Sequence, residues 1–366
     1  MQKLLFIIGS LTGGGAERVT AVIASSLASE YEVELATGNK ITKEDYPLDN
    51  LVKRTSLKFN YSSNGVIEKF KEYFSRLLII RRHIIKENIG CVIGVCTSDC
   101  IRAVLASINS NSKVIVSEHN NYYAINSIFL RLIRNLVYLF ADEILVLTER
   151  DVNNYPFYLR KKITVMKNPI PIKNDIEISR PNRNALKFLH IGRLVEQKNQ
   201  KELIEIIHQL SISTSSDFFV DIVGEGPLRY DLERSVENFN LSEKVRFHPF
   251  TNDISQYYSS ADFLLLTSHY EGLPMVILEA LSFGVPVIAY NCPTGISELI
   301  HDSYNGYVIK HYDKKGFIEK VKVVLDEMSE LEYIAMSKNC VHSIQLYSVE
   351  RVTEKWISII SRKNNR

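Results

Sequence analysis

The chain is expected to fold as two α/β domains, each a parallel sheet covered by helices. Three observations carry this. Short apolar runs alternate with longer helical patterns from end to end. Several runs, such as "FFVDIVG" at 218–224 and "DFLLLTS" at 262–268, are almost continuously apolar. A strand needs that composition when helices cover both faces of its sheet. The alternation breaks once, at "NPIPIKNDIEISRPNRN", residues 168–184, and then restarts. The 366 residues also exceed what one ordinary core holds.

In order, residues 3–8, 32–36, 91–95, 113–117, 143–147 and 163–167 read as strands, with helical patterns such as 66–87 and 126–140 between them. The three prolines of 168–184 then mark a linker, since each removes a donor and restricts the residue before it. Past it, 186–192, 218–224, 244–250, 262–268 and 285–290 read as strands, with helices starting near Lys198, Pro227, Asp253 and Pro274. "SISTSS" at 211–216 reads as a loop, and 348–362 as a last helix. The expected plan is an N-terminal domain over 1–168, a linker over 169–184, a second domain over 185–345 and a C-terminal helix within 346–366 that packs back on the first domain. Two such domains are expected to face each other across a cleft at the carboxyl ends of their strands, where this architecture binds ligands.

Composition narrows the class. A net charge of +2 gives no field for nucleic acid. The five cysteines, Cys91, Cys96, Cys100, Cys292 and Cys340, form no C-x-x-C pair, which suits a reduced cytoplasmic setting. The first residues are too short an apolar run for a signal peptide, and no stretch approaches 18 uncharged apolar residues. The nearest is "INSIFLRLIRNLVYLF" at 125–140, where Arg131 and Arg134 fall on one helix face. One expectation is a buried helix with a solvated stripe. The other is that Arg131 and Arg134 meet lipid headgroups or an anionic lipid-linked acceptor.

Near the start, "LFIIGSLTGGGAERVT" reads as strand, tight turn and helix. It fits neither common phosphate motif. With Gly13 and Gly15 as the first two glycines of a dinucleotide fingerprint, Arg18 occupies the third slot. With Gly9 and Gly14 spaced as in a P-loop, Gly15 and Ala16 stand where Lys and Ser or Thr belong. Gly13, Gly14 and Gly15 are expected instead to let backbone approach a distal phosphate and an acceptor.

The chemistry concentrates in "HYEGLPMVILEALSFGVPVIAY" at 269–290. Glu271 falls in a loop, Pro274 suits the first helical position, and Glu279 lies about one and a half turns inside the helix. The first N–H groups of that helix form an anion site flanked by two carboxylates that accept from hydroxyls. That arrangement fits a sugar nucleotide. In "IGRLVEQKNQKEL", Arg193 follows a strand and Lys198 opens a helix, so two fixed cations can match a departing diphosphate.

These segments together resemble glycosyltransferase family 4, retaining sugar-nucleotide enzymes of the GT-B fold. The resemblance rests on Glu271 and Glu279 eight apart, on "GRLVEQKN", on "VGEGPLRYDLE" at 223–233, and on "CPTGISELI" before Asn305 and Gly306. "GGAERV" at 14–19 is similar to members that build lipid-linked bacterial glycans, N-acetylgalactosaminyltransferases included. The resemblance implies that Arg193 and Lys198 bind the donor diphosphate and that Glu279 accepts from the ribose. It implies that Glu271 contacts the donor sugar, near the backbone of Gly272, Leu273, Pro274, Met275 and Val276. Gly224, Phe250 and Thr251 fall near the base, with Gly14 and Gly15 on the opposing lip. His119, after the strand at 113–117, is similar to the family's cleft histidine and joins Glu271 as a catalytic candidate. His190 and His269 read as structural.

No D-x-D is present, so metal-independent transfer without a cofactor is expected. The expected donor is a UDP-sugar, UDP-N-acetylgalactosamine first. The expected acceptor is a saccharide on undecaprenyl diphosphate, used in surface-glycan assembly by a cytoplasmic enzyme attached peripherally to an anionic membrane. A UDP-sugar epimerase of the same fold and a non-catalytic sugar-nucleotide-binding subunit are the alternatives.

Overall fold

The computed structural model describes residues 1–59, 65–120, 122–125, 127–172, 185–251, 253–293 and 295–362. The chain divides into two units, Met1–Pro169 with Val349–Arg366, and Ile170–Ser348. Most of the linker expected at 169–184 lies outside the described residues, at 173–184.

The first unit holds β1 (Lys3–Ile8), β2 (Glu32–Thr37), β3 (Lys53–Ser56), β4 (Cys91–Val95), β5 (Lys113–Ser117), β6 (Glu143–Val146) and β7 (Ile163–Val165). They form one sheet in the order β3-β2-β1-β4-β5-β6-β7, parallel throughout. Strand side chains alternate between faces. Leu5 and Ile7 of β1 therefore join Ile80 and Ile84 of the helix Val66–Lys86 in one core. Phe6, between them, meets Trp356 on the other face with ring centroids 6.1 Å apart. Trp356 belongs to the last helix, Val349–Ser361, which packs on the helix Gly15–Leu27. The buried ammonium of Lys113 locks that helix in place. Its Nζ donates to the carbonyls of Ile359 at 2.6 Å and Arg362 at 2.8 Å, where a helix C-terminus favours a cation.

The second unit holds β8 (Ala185–Ile191), β9 (Asp217–Val223), β10 (Val245–His248), β11 (Phe263–Leu266), β12 (Val287–Tyr290) and β13 (Gly306–Ile309). Their order is β10-β9-β8-β11-β12-β13, again all parallel. The order reverses between β8 and β11, so a crevice is expected at the carboxyl ends of those two strands. The core joins Phe188, Phe218 and Phe263 of the sheet to Ile204 and Ile207 of the helix Gln200–Ser213.

Some local expectations change. Two strands lie outside the expected set: β3 is the polar stretch KRTS, and β13 is the short, mostly buried apolar run GYVI. The helix Gln200–Ser213 runs through 211–213, where a loop was expected, because the hydroxyls of Ser211 and Ser213 bond back to the carbonyls of His208 and Gln209. Pro274 caps its helix rather than opening it, and the first helical residue is Met275. All five cysteines are free thiols, four of them buried. Burial pushes the thiols of Cys91 and Cys292 up to about 12.

The larger correction concerns the helix Ile128–Val137. Arg134 does not meet solvent or headgroups; it is 1% exposed. Its guanidinium lies 4.2 Å from the Tyr122 ring centroid and 4.9 Å from that of Tyr155. It donates to the Tyr122 carbonyl at 3.3 Å and to Asn135 Oδ1 at 3.1 Å. Arg131 is half-buried, 5.1 Å from the Tyr123 ring centroid. The two arginines do share a face, but it is the inner one, because tyrosines from two neighbouring segments supply a desolvated cation–π seat. Desolvation pushes the buried Glu118 carboxyl above the usual carboxylate range, and the Tyr138 hydrogen bond and the charge of Arg134 offset this only in part. Glu118 accepts from Thr97 Oγ1 at 2.7 Å and from the Tyr138 hydroxyl.

Candidate functional site

The predicted residues of the second unit gather at the carboxyl edge of its sheet, around the reversal point. Two loops build the centre, one after β8 and one after β11. The β8 loop runs from Gly192 through a single turn, Glu196–Lys198. Gln200, buried at the start of the next helix, holds it by donating to the Arg193 carbonyl at 2.8 Å. The same amide lies 3.3 Å from His190 Nε2, while His190 Nδ1 lies 3.0 Å from the Leu265 carbonyl. Burial pulls His190 down to about 4, so the ring is neutral. Nδ1–H then donates to β11 and Nε2 accepts from Gln200. His190 is a cross-strand clamp.

The two loops are stitched together. The His269 amide donates to the Gln197 carbonyl at 2.9 Å, and Gln197 Nε2 donates to the Tyr270 carbonyl at 2.9 Å. Thr267 Oγ1 donates to the Asn199 carbonyl at 3.1 Å. This brings Lys198 onto Glu271, with Nζ 2.6 Å from Oε1, both side chains largely buried. Ser268 Oγ donates to the same oxygen at 2.6 Å. The sequence placed these two residues on different parts of a ligand, and the structure joins them in one ion pair. An ammonium has three N–H donors and a carboxylate about four lone-pair sites, so this ion pair does not by itself exhaust either group.

Glu271 precedes the helix Met275–Ser282, and Glu279 is buried within it. The Tyr258 hydroxyl lies 2.8 Å from Glu279 Oε2 and 3.2 Å from the Val276 carbonyl. Gly272, Leu273 and Pro274 lead into the helix, and Met275 and Val276 form its first turn, where helix geometry aims N–H groups outward. A carboxylate therefore stands on each side of a helix N-terminus, with a lysine held against one of them.

Gly224 follows β9 and shows why only glycine fits. A Cβ there would stand 2.0 Å from the Gly192 carbonyl oxygen. The β8 and β9 loops thus touch backbone to backbone. Arg193 is exposed on the β8 loop, and Phe250 and Thr251 follow β10, Phe250 with its ring about half exposed. Ser268 and Tyr258 are positioning residues that sequence reasoning missed. Ser268 stands three residues from Glu271 and could have been found. Tyr258 is 21 positions from Glu279, and no spacing pointed to it.

The remaining candidates belong to the first unit. Gly13 has φ +76, Gly14 is the N-cap of the helix Gly15–Leu27, and Gly15 is its first residue. The Glu17 carboxylate folds back over Gly14, where a Cβ would stand 1.9 Å from its Oε2. His119 follows β5, half-buried, with Nε2 3.2 Å from Ser117 Oγ. Desolvation pulls it down to about 4, so the imidazole is neutral at pH 7.

The sequence profile described as Glycosyl transferases group 1 matches residues 171–339. Over 369 residues, spanning 100% of both chains, the protein is 28% identical to the Campylobacter jejuni GalNAc-alpha-(1->4)-GalNAc-alpha-(1->3)-diNAcBac-PP-undecaprenol alpha-1,4-N-acetyl-D-galactosaminyltransferase. Among solved structures, the lipopolysaccharide outer core galactosyltransferase WaaB superposes with a TM-score of 0.76 at 20% identity, covering 98% of this chain and 99% of that one. Anabaena HepE, in complex with UDP and glucose, superposes with a TM-score of 0.77 at 16% identity, covering 99% and 100%. The fold is that of the GT-B glycosyltransferases.

Proposed function

We propose that the chain is a retaining glycosyltransferase that moves N-acetylgalactosamine from its UDP-linked donor to a lipid-diphosphate-linked saccharide, a reading supported by the match of residues 171–339 to the group 1 glycosyltransferase profile. The observation that carries this is the pair of buried carboxylates, Glu271 and Glu279, on either side of one helix N-terminus, with Lys198 held against the first. The helix N-terminus, Lys198 and Arg193 would meet the diphosphate, whose charge grows as the sugar bond breaks. Glu279, oriented by Tyr258, would accept from the ribose hydroxyls, and Glu271 from the sugar. Gly224, Phe250 and Thr251 would lie near the base. Gly14, Gly15 and His119 are the proposed functional residues of the first unit.

In this proposal the carboxylates bind hydroxyls and are not a glycosidase acid and nucleophile, because the acceptor attacks directly and no glycosyl-enzyme intermediate forms. In the retaining course, the acceptor hydroxyl attacks the face that the diphosphate leaves, and a leaving-group oxygen takes its proton. The fixed cations supply the electrostatics that a metal otherwise supplies, so transfer needs no metal. Donor and acceptor follow the relative at 28% identity, whose name specifies a galactosaminyl transfer to an undecaprenol-linked saccharide. Surface-glycan assembly on the cytoplasmic side of an anionic membrane, with peripheral attachment, belongs to the same proposal. Among the described residues, no helix is long and apolar enough to cross a membrane.

The test incubates purified protein with UDP-N-acetylgalactosamine, UDP-galactose, UDP-N-acetylglucosamine or UDP-glucose, and a short undecaprenyl-diphosphate-linked saccharide, with and without EDTA. UDP release should be fastest with the first donor, the new linkage should be α, and EDTA should leave the rate unchanged. Conversion of the UDP-sugar without acceptor would mean an epimerase, and no turnover of any donor would mean a binding subunit.

His119 gives a pH prediction. A folded pKa pulled from 6.5 to about 4 keeps the ring neutral over the range where an ordinary histidine would charge. If neutral His119 is needed for transfer, the acid limb of kcat/KM should fall near pH 4 and vanish in His119→Ala. A limb near 6.5 that survives in His119→Ala would remove this residue from the mechanism.

A further inference from the structure

We propose that Glu118 and Thr97 are positioning residues for His119: their contact ties the turn that carries His119 to the strained turn after β4. This deepens the proposed role of His119 and rests on that reading. The starting point is Cys96. β4 ends at Val95 and the helix Thr97–Ser107 begins two residues later, so Cys96 alone makes the turn. The helix is pressed against the strand. A Cβ on Gly94 would stand 2.6 Å from the Cys100 Cα, and Cys100 Sγ donates to the Gly94 carbonyl at 3.1 Å. Cys96 meets this geometry with φ 64 and ψ 150, a region essentially reserved for glycine. Such strain persists only where the surroundings hold it. A cysteine on a strained strand-to-helix turn would suit a nucleophile, but this thiol is not one. Burial pushes it up, and the carboxylates of Glu17, Glu118 and Asp99 push it further. The conformation serves placement instead. Cys96 lines an open cavity of about 440 Å³ together with Ser10, Glu17 and Asp99.

Two bonds cross from this turn to the end of β5. The Cys96 amide donates to the Ser117 carbonyl at 3.0 Å, and Thr97 Oγ1 donates to Glu118 Oε2 at 2.7 Å. Glu118 is buried, and its other oxygen accepts from the Tyr138 hydroxyl. Its amide donates to the Leu145 carbonyl of β6 at 2.9 Å. Glu118 is therefore fixed from three neighbouring segments. Side chains alternate along an extended segment. With Glu118 turned inward, Ser117 and His119 share the other side, where Ser117 Oγ lies 3.2 Å from His119 Nε2. The choice of a carboxylate here is itself informative. Burying one carries a penalty that a well-packed apolar side chain avoids. An apolar side chain, however, offers the Thr97 hydroxyl no acceptor. Glu118 reaches two separate elements with its two oxygens, and one of them is the strained turn. Packing alone requires no such arrangement. Fixing His119 against the Cys96 turn does.

The test uses Thr97→Val, which keeps the shape and removes the hydroxyl, with Thr97→Ser as the conservative partner. Three quantities are read on the full chain: UDP binding, donor turnover with the lipid-linked saccharide, and the titration of His119 by NMR with isotope-labelled histidine. The His119 signal is the one missing from His119→Ala. In wild type it should titrate near 4, as its burial implies. Thr97→Val should lower kcat by about 10–100-fold, the scale of a misplacement of about 1 Å. UDP affinity and stoichiometry should stay as in wild type. The His119 titration should move up toward 6.5 as the freed turn admits water. Thr97→Ser should restore both the rate and the titration. An unmoved His119 titration in Thr97→Val overturns the proposal, whatever the rate does, and makes Glu118 a core residue only. Wild-type kcat in Thr97→Val overturns it as well. If wild type turns over no donor, the proposed function falls, and the His119 titration in the two variants still decides whether Thr97 and Glu118 hold that ring.

Discussion

Lys198→Ala is expected to lower kcat/KM by about 10²–10³-fold, the size seen when one preorganised donor to developing charge is removed. The substitution has two effects that must be separated. It removes a cation from the proposed diphosphate site. It also leaves Glu271 buried without its ion-pair partner, 2.6 Å away in the wild type, which costs on the order of 3–5 kcal/mol of stability when such a pair is broken from one side. Glu271→Gln keeps the shape and lets Ser268 and Lys198 remain near a neutral amide. The double variant distinguishes the contributions. Residues that act as one unit show strong non-additivity, so Lys198→Ala/Glu271→Gln should lose little more activity than Lys198→Ala alone. Steady-state UDP release and thermal melting of the three variants measure this. Activity within threefold of wild type in Lys198→Ala would detach the lysine from the chemistry.

Gly224→Ala should be a strongly damaging substitution in the second unit, and one that acts on the proposed donor site. The added methyl would start 2.0 Å from the Gly192 carbonyl oxygen and 3.0 Å from its carbon, and both are backbone atoms. Nothing flexible can yield, so the β8 loop must shift. Overpacking of this kind costs about 1–3 kcal/mol, or on the order of 2–12 °C in the melting of a unit this size. Because the displaced loop carries Arg193 and Lys198, UDP affinity should fall at least tenfold as well. Calorimetry and UDP titration on the same sample would show both losses. Unchanged UDP affinity with a lowered melting temperature would mean that the loop does not set the donor site.

The legible part of the fold was the part with strong local chemistry. β1, β4, β5 and β11 are apolar runs bounded by turns, and their edges were found within a residue or two. β3 and β13 were not: β3 is a polar, partly exposed edge strand, and β13, though apolar and mostly buried, is only four residues long. The places of Glu271, Glu279 and Lys198 relative to their helices were legible because loop-to-helix spacing dictates where such residues fall. Their mutual contacts were not. That Lys198 reaches Glu271 depends on Gln197 bonding across two loops 73 residues apart, which no window of sequence contains. The failure at Arg134 has the same origin. Spacing placed it correctly on one face with Arg131, but which face turns inward was decided by Tyr122 and Tyr155, supplied from outside the helix.

The burial of the cysteines has a practical consequence. A thiol labels through its thiolate, and desolvation holds every native thiol of this chain above its ordinary range. Maleimide dyes at neutral pH should therefore leave the wild-type chain nearly dark. A single cysteine introduced at the exposed position of Leu136 would be the one fast-reacting group, and a polarity-sensitive dye placed there would report in real time whether that side of the helix leaves water.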